Sequence, residues 1–317
     1  MNFDLSDDQV ALRDGIRALL QGKYPMARVR EGFDRSVFED LAGAGVFSLR
    51  DDGFGWTDAA VVYEELGRAL VPGPLVWSFG RAVPTAGCCC PAPGAVLVEH
   101  LDAIDDLLVL RRDGVWRIGA ADLVGAGQDW PLDPLTPVWR VDGLPDGEPV
   151  GETDAAGGLW YSGGVLTAAY LVGMADACTT LAVDYAKERR QFERAIGSFQ
   201  AVKHLCADMA VRAEVARAAV HTAACVLDDP GVGDRERTVS GAKLLANEAA
   251  IANGRAATQV FGGMGFTWEV DVHLYLKRAW VLDTVFGSVE HLADAVAGTL
   301  PPPAARALAS PDRENRG

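Results

Sequence analysis

The sequence predicts a mostly α-helical protein with a small β domain between two helical parts. Helical periodicity with capping residues fills the first seventy-odd positions, short strand-like runs follow, and long apolar helical patterns return near residue 159. A chain of 317 residues is long enough to bury more than one core. We predict an N-terminal helical domain at 1–79, a reduced antiparallel β domain at 80–158, a C-terminal helical bundle at 159–300 and a disordered tail at 301–317.

Three helices are predicted in the N-terminal part. Ser6 and Gln9 form a capping box in front of the first, because each side chain can bond the other residue's backbone amide. The second helix covers Ser36–Ala44. The third covers Asp58–Leu70, with Thr57 as its N-cap.

Short apolar runs between turn residues predict the strands of the β domain. Aspartate–glycine pairs lie between or beside these runs, and such pairs favour the tight turns of antiparallel hairpins. The predicted strands are Ala95–Val98, Leu107–Leu110, Val115–Ile118 and Val138–Val141.

Four helical patterns joined by short turns predict an antiparallel bundle in the C-terminal part. The first consists almost entirely of small and apolar residues, so we expect it to be buried on most faces. The four patterns cover Val165–Lys187, Gln200–Leu227, Thr238–Val260 and Leu274–Val285.

The composition excludes several classes of function. A formal net charge of −15 disfavours binding to nucleic acid or to anionic membranes, which requires a basic face. No apolar run reaches 18 residues and the N-terminus is acidic, so we predict a cytoplasmic chain without a membrane segment. The Cys88–Cys90 triplet lacks metal-ligand spacing, and no metal site is predicted.

Two stretches of the C-terminal part are candidate ligand sites. In Gln259–Phe266 a helical pattern runs into three glycines, which permit either a tight helix connection or the close approach of a ligand to backbone amides. In Tyr185–Phe192 two arginines end the first bundle helix. Arg189 and Arg190 could satisfy the last carbonyls of that helix or hold a phosphate group bidentately.

Together the two stretches resemble the acyl-CoA dehydrogenase family. That family carries a Y-x-x-x-R-x-Q-F-G segment, a Gln about nine residues later, and a Q-x-x-G-G-x-G-F loop. The N-terminal pieces LSDDQVALRD and YEELGRALVPGPL fit the family as well. The matching residues here are Tyr185, Arg189, Gln191, Phe192, Gln200, Gln259, Gly262, Gly263, Gly265 and Phe266.

The resemblance implies a fold, a cofactor and a reaction. The fold is an N-terminal helical domain, a middle β domain and a C-terminal four-helix bundle. In the reaction a Glu removes the α-proton of an acyl-CoA thioester, FAD accepts the β-hydride, and an electron-acceptor flavoprotein reoxidises the cofactor. The neighbouring subunit holds the ADP half of FAD. The cofactor-binding residues implied here are Arg189, Gln191, Phe192, Gln200, Gln259, Val260, Phe261, Gly262, Gly263 and Gly265.

The chain differs from the family at the positions of the catalytic base. Counted along the family's motifs, the two usual positions of the base fall on Phe286 and Gly163, and neither residue can accept a proton. The family's T-E-P-x-x-G-S-D-like and W-I-T-like segments are missing from the β domain. Within the nucleotide motif, Glu193 and Ala195 replace a usual Gly and Pro.

This pattern of losses suggests the base-less subunit of a heteromeric acyl-CoA dehydrogenase. The missing parts act on a chain's own active site, whereas the remaining parts act on a neighbour's FAD. We expect an α2β2 heterotetramer with a second acyl-CoA dehydrogenase-like subunit that contributes the Glu, as in short subunits of bacterial steroid and cholesterol degradation. Two alternatives stay open: a self-sufficient homo-oligomer with a relocated base, for which Asp283, Glu290 and Glu269 are weak candidates, and a non-catalytic scaffold subunit.

Overall fold

A computed structural model describes residues 4–89, 94–111 and 113–298. The predicted disordered tail and Cys90 lie outside the described residues. The mostly helical fold with a small β content is confirmed, and the division into domains stays a prediction. The N-terminal helices are α1 (Asp7–Lys23), α2 (Met26–Val29), α3 (Arg35–Gly43) and α4 (Trp56–Arg68).

Helix caps decide where the N-terminal helices begin. The predicted capping box of α1 is confirmed, because the Ser6 hydroxyl accepts from the Gln9 amide at 3.2 Å and the Gln9 side chain accepts from the Ser6 amide at 3.1 Å. The predicted cap of α4 at Thr57 is wrong. Its N-cap is Gly55, whose amide donates to the Asp58 carboxylate at 2.7 Å, while the Thr57 amide donates to Asp228 at 3.1 Å.

Between α4 and the first bundle helix, the described residues form seven strands in two sheets. The four predicted strands are confirmed as β2, β3, β4 and β6, with ends shifted by one residue in most cases. The sheet orders are β1-β3-β4-β7 and β2-β6-β5. The strands are β1 (Thr85–Cys89), β2 (Ala95–Glu99), β3 (Asp106–Arg111), β4 (Gly114–Gly119), β5 (Gly125–Gly127), β6 (Val138–Asp142) and β7 (Glu148–Gly151).

The prediction of a purely antiparallel β domain is wrong for one pair of strands. β1 and β3 pair in parallel, with Thr85 opposite Asp106. The reason is the path of the chain: after β1 it crosses to the second sheet as β2 and then returns to the first sheet in the original direction.

The four predicted bundle helices are confirmed, and a further short helix follows them. The first bundle helix begins at Thr153, within the segment predicted as β. Gly157 and Gly158 each lower the stability of this helix by roughly 0.5–1 kcal/mol relative to Ala, and a helix of this length tolerates that cost. The helices are α5 (Thr153–Glu188), α6 (Gln200–Asp228), α7 (Arg235–Phe261), α8 (Val272–Leu282) and α9 (Val289–Gly298).

Small residues bring α4 and α5 into backbone contact. A Cβ atom on Gly67 would lie 1.9 Å from the Tyr170 carbonyl oxygen, and one on Gly173 would lie 1.8 Å from that of Glu64. The N-terminal helices and the bundle consequently share one apolar core, which contains Tyr63 of α4.

By length and composition alone, α5 is long and apolar enough to cross a membrane. Inside the protein, 83% of its most apolar window is buried. Core helices of folded proteins show such burial, so the finding is weak evidence for a membrane span.

Candidate functional site

The structure brings the two candidate stretches together. Tyr185, in the last turn of α5, stacks on Phe261, the last residue of α7, with ring centroids 4.1 Å apart and an angle of 13°. We call the segments 189–200 and 259–266 the wall. Residues that lie more than fifty positions apart in the chain therefore occupy one face of the bundle.

A short β-hairpin with a two-residue turn forms the first half of the wall. β8 (Arg190–Gln191) pairs with β9 (Arg194–Ala195), and the turn residues Phe192 and Glu193 have φ angles of 51° and 66°. Two left-handed residues in succession are typical of a type I′ turn, in which glycine is favoured. The glycine that the family motif has at position 193 would relieve strain of about 1 kcal/mol that Glu193 bears.

The three arginines of the hairpin have different surroundings. Arg190 donates to the Glu193 carbonyl at 2.8 Å, and the Arg194 guanidinium lies 4.0 Å from the centre of the Phe199 ring. The Arg189 side chain is exposed and contacts no hydrogen-bond, ion-pair or aromatic partner among the described residues. Neither Arg189 nor Arg190 uses its side chain to cap the carbonyls of α5, so the Arg189 guanidinium is available to a ligand.

The remaining residues of the first half that match the family motif also face solvent. The Gln191 side-chain amide donates to the Arg190 carbonyl at 2.9 Å, which fixes its direction. Phe192 is 85% exposed at the tip of the hairpin. Gln200 is exposed as the first residue of α6.

The glycine loop forms the second half of the wall as a 3₁₀ turn over Gly262–Phe266. Gly262 has φ 62° and ψ −138°, a conformation that favours glycine. A Cβ atom on Gly265 would lie 2.6 Å from the Thr258 carbonyl oxygen, whereas one on Gly263 would have nothing within 4 Å. The turn thus requires Gly262 for its backbone conformation and Gly265 for its close packing, whereas Gly263 leaves open space at the surface.

Gln259 is exposed in the last turn of α7, at the start of this loop. Its carbonyl accepts from the Gly262 amide, so the side chain stands at the point where the helix ends. Val260 is 8% exposed and belongs to the core, and Phe261 is half-buried against Tyr185. Of the predicted cofactor residues in this loop, Gln259 and Gly263 are exposed, while Val260 and Phe261 support them from below.

The two usual base positions meet each other in the interior. A Cβ atom on Gly163 would lie 2.1 Å from Cζ of Phe286, whose ring therefore packs directly on α5. Phe286 is 2% exposed, stacks on Trp77 at 4.5 Å and meets the edge of Trp160 at 6.2 Å. We call Trp77, Trp160 and Phe286 the ring cluster. The apolar atoms of the ring cluster occupy the space that the carboxylate of a catalytic base would need.

The other candidate bases lie elsewhere. Glu290 is exposed in the first turn of α9, and hydrogen bonds to its own amide and to Ser288 lower its pKa, which weakens it as a base. Asp283 follows α8, where its carbonyl accepts from Asn247 at 3.1 Å. Glu269 is exposed. Their catalytic role stays a prediction.

A cavity of about 450 Å³ remains beside Phe286, between the β strands and the end of α8. Glu99 lines it, and burial raises the pKa of this carboxyl. Asp133, also in the lining, forms a buried ion pair with Arg278. The sequence reasoning missed Glu99, although a charged residue that ends the apolar run AVLVE was a signal.

The packing of Trp77 disfavours a ligand between β1 and the ring cluster. A Cβ atom on Gly87 would lie 2.2 Å from the Trp77 indole, so this indole lies directly on β1. A planar group could not enter between β1 and the ring cluster without displacing Trp77. Among residues 4–89, 94–111 and 113–298, no three His, Cys, Asp or Glu side chains come together as a metal site.

Comparisons with known proteins agree with the resemblance of the motifs. The family model described as "Acyl-CoA dehydrogenase, C-terminal domain" matches residues 161–300. The acyl-CoA dehydrogenase IpdE2 of Mycobacterium tuberculosis is 32% identical over 297 residues, which cover 86% of this chain and 91% of the relative.

Two solved structures share the fold. The ChsE4-ChsE5 complex from Mycobacterium tuberculosis has a TM-score of 0.82 at 21% identity, covering 95% of this chain and 100% of that chain. The Tcur3481-Tcur3483 steroid ACAD has a TM-score of 0.77 at 18% identity, covering 92% of this chain and 97% of that chain. At these identities the likeness shows the fold alone.

Proposed function

Because this chain belongs to the acyl-CoA dehydrogenase family, we propose that it is the base-less subunit of a heteromeric, FAD-dependent acyl-CoA dehydrogenase. Its wall holds the ADP half of an FAD whose reacting half lies in a partner subunit, and that partner supplies the catalytic Glu. The observation that carries the proposal is the contact between Phe286 and Gly163, which closes both base positions at once.

Closure of the base position argues against dehydrogenation in this chain's own interior. The α-proton of a thioester is weakly acidic, so its removal needs a positioned carboxylate and room for the substrate. The ring cluster offers neither, because Phe286 is 2% exposed and packed between two tryptophans. FAD, when bound, would supply the hydride acceptor, and in this proposal the base comes from another chain, since the two base positions implied by the family are closed here.

The wall has the chemistry that a pyrophosphate and a nucleotide need. The Arg189 guanidinium is exposed and unpaired within the described part of the chain, so it can donate two hydrogen bonds to one phosphate. Gln259 and Gln191 supply neutral polar contacts, and Gly263 allows close approach to the backbone. Glu193 places a negative charge on the same hairpin, which weakens the attraction of the wall for an anion.

The relatives support a two-chain assembly and a bulky substrate. One structural neighbour is the ChsE4-ChsE5 complex and another is a steroid ACAD. We therefore extend the proposal to a steroid-derived acyl-CoA as substrate, to a heterotetramer with two kinds of subunit, and to an electron-acceptor flavoprotein as the redox partner. The proposal also takes the assembly to be cytoplasmic.

The test is to purify the chain alone and together with a candidate partner, an acyl-CoA dehydrogenase-like subunit of the same organism that carries the catalytic Glu. Alone, the chain should be colourless and inactive, and the complex should contain FAD and oxidise acyl-CoA. Stoichiometric FAD and turnover in the lone chain would contradict the proposal, and a complex without flavin would favour a scaffold.

Arg189→Ala should lower the FAD occupancy of the complex, because the variant removes the free guanidinium of the wall. Arg237→Ala is the matched control, since Arg237 is exposed at the opposite end of α7. Absorbance of bound flavin after gel filtration measures the effect. Equal occupancy in both variants would show that Arg189 has no role toward the nucleotide.

A further inference from the structure

The proposed function makes no use of the cavity beside Phe286. Its volume of about 450 Å³ lies in the range of small-molecule pockets. Apolar side chains form most of its lining, and they include two indoles, Trp77 from the segment before β1 and Trp280 from α8. Aromatic surfaces favour a ligand with a rigid ring system, because such a ligand stacks well and loses little conformational freedom on binding.

The charges of the lining disfavour an anionic ligand. Among the described residues that line the cavity, none is a lysine or an arginine. Phosphate groups need such cations as hydrogen-bond donors, so the phosphates of a nucleotide or of coenzyme A would have no counter-charge here. The carboxyl group of Glu99 in the lining is a further obstacle to an anion. The ligand that fits this cavity is therefore uncharged.

Glu99 is the polar group that remains available in the lining. The neighbouring carboxylate of Asp133 holds the buried Arg278 guanidinium. Asp133 also accepts from the Leu135 amide at 3.0 Å and from the Thr136 hydroxyl at 2.7 Å. The Glu99 carboxyl has no hydrogen-bond partner within the described residues, and burial raises its pKa. A carboxyl group that keeps its proton can donate a hydrogen bond to a carbonyl oxygen.

Glu99 also borders a second cavity, of about 30 Å³. Nη2 of Arg278 and Oγ1 of Thr167 belong to residues of its lining, and both atoms are buried without a hydrogen-bond partner among the described residues. The space fits one water molecule, which would accept from Arg278 and donate to the carbonyl oxygen of the Glu99 carboxyl. This arrangement leaves the O–H group of Glu99 to donate into the larger cavity.

The larger cavity reaches the protein surface along an apolar edge. Leu97 of β2 and Leu132 of the segment before β6 both line the cavity, yet they are 62% and 55% exposed. Trp280 lines it as well and is 37% exposed. Exposed apolar groups that continue into a cavity are typical of a ligand-binding site. An apolar molecule can therefore enter from solvent between β2 and α8.

We propose that this cavity binds an uncharged apolar molecule with a rigid ring system, whose carbonyl oxygen accepts a hydrogen bond from the Glu99 carboxyl group. The inference goes beyond the proposed function, because the site involves neither the wall nor FAD nor a partner subunit. Its ligand also differs in chemistry from acyl-CoA and from FAD, both of which carry phosphates. The lone chain is therefore sufficient for the test.

Equilibrium dialysis of the lone chain at neutral pH measures the binding of 2-acetylnaphthalene, an uncharged two-ring ketone. 2-Naphthoate is the matched control ligand, since it carries a carboxylate of nearly the same size in place of the methyl ketone. The ketone should bind saturably. The naphthoate should bind about tenfold more weakly or worse, because the lining offers it Glu99 and no cation.

Variants of the lining test the role of each part of the cavity. Glu99→Leu should weaken ketone binding about three- to tenfold, which corresponds to one hydrogen bond, whereas Glu99→Gln should retain it because an amide also donates. Val281→Trp should abolish binding by filling the cavity. Val150→Trp is its matched control, since Val150 lies on β7 and outside the lining. Circular dichroism shows whether each variant is folded.

Several outcomes would overturn the inference. One is the lack of saturable ketone binding by the wild type, and another is equal affinity for the ketone and the naphthoate. Unchanged affinity in Glu99→Leu, or a Glu99→Gln variant as weak as Glu99→Leu, would remove the hydrogen bond from the argument and overturn it as well. Because the lone chain is assayed without flavin or partner, these outcomes are independent of those that test the proposed function.

Discussion

The contact between Gly163 and Phe286 makes a quantitative prediction about stability. A methyl group at position 163 would lie 2.1 Å from the Phe286 ring in the present structure. Overpacking of this kind costs about 1–3 kcal/mol, and the better helix propensity of Ala returns up to about 1 kcal/mol. Gly163→Ala should therefore destabilise the protein by about 1–2 kcal/mol.

The same substitution should have the opposite effect once the ring is gone. Phe286→Ala removes a buried ring and should cost about 3–5 kcal/mol. In that background Gly163→Ala meets no ring, so only the propensity gain of up to about 1 kcal/mol remains. The two substitutions should consequently show a coupling energy of about 1–3 kcal/mol, which is the overpacking cost itself.

Urea unfolding of the four proteins at one protein concentration measures this coupling. Tryptophan fluorescence is a suitable signal, because Trp77 and Trp160 both contact Phe286. Gly158→Ala on the same helix is the control, since a Cβ atom there has nothing within 4 Å. If Gly163→Ala changes stability equally with and without the Phe286 ring, the two base positions do not meet and the closed-site reasoning fails.

Two further predictions follow from charges in unusual places. Burial lowers the pKa of Lys243 to about 7, so above that pH the unfolded chain binds more protons and the free energy of unfolding should rise up to about pH 10. Urea unfolding from pH 7 to pH 10 tests this, and Lys243→Met should remove that rise; a rise of equal size in the variant would assign it to other groups. Glu193→Gly should raise FAD occupancy of the complex by removing both a left-handed side chain and a negative charge from the hairpin. Glu193→Gln removes the charge alone, and flavin content below that of the wild type in both variants would contradict the argument.

The sequence predicted strands well where alternation and turn residues agreed, and failed where pairing depended on the path of the chain. β2, β3, β4 and β6 follow from apolar runs next to aspartate–glycine turns. β1 was missed because its Thr85–Cys89 segment lies among Pro and Gly. Its parallel pairing with β3 cannot be read locally, since it results from β2 joining the other sheet.

The site was predictable as a set of residues and not as an arrangement. Motif counting pointed to Gly163 and Phe286 separately, but only the fold shows that these residues, 123 positions apart, touch. Arg189 and Arg190 are neighbours of the same type, and the hairpin geometry alone decides that Arg190 bonds its own turn. The exposure of Phe266 and Trp268 was not predicted, because solvent exposure of an aromatic residue has no signature in a single sequence.

One helix carries both the closed interior and the start of the wall. Gly163 lies within α5 and Arg189 is the C-cap residue of this helix, 26 residues later, which corresponds to about 39 Å of helix axis. The helix therefore fixes the distance between the buried contact at Gly163 and the exposed Arg189. Loss of one residue between them would shorten this distance by only about 1.5 Å, but it would turn Arg189 by roughly 100° and separate Tyr185 from Phe261. A change in the number of residues in α5 would thus alter the direction of the Arg189 side chain far more than its distance from Gly163.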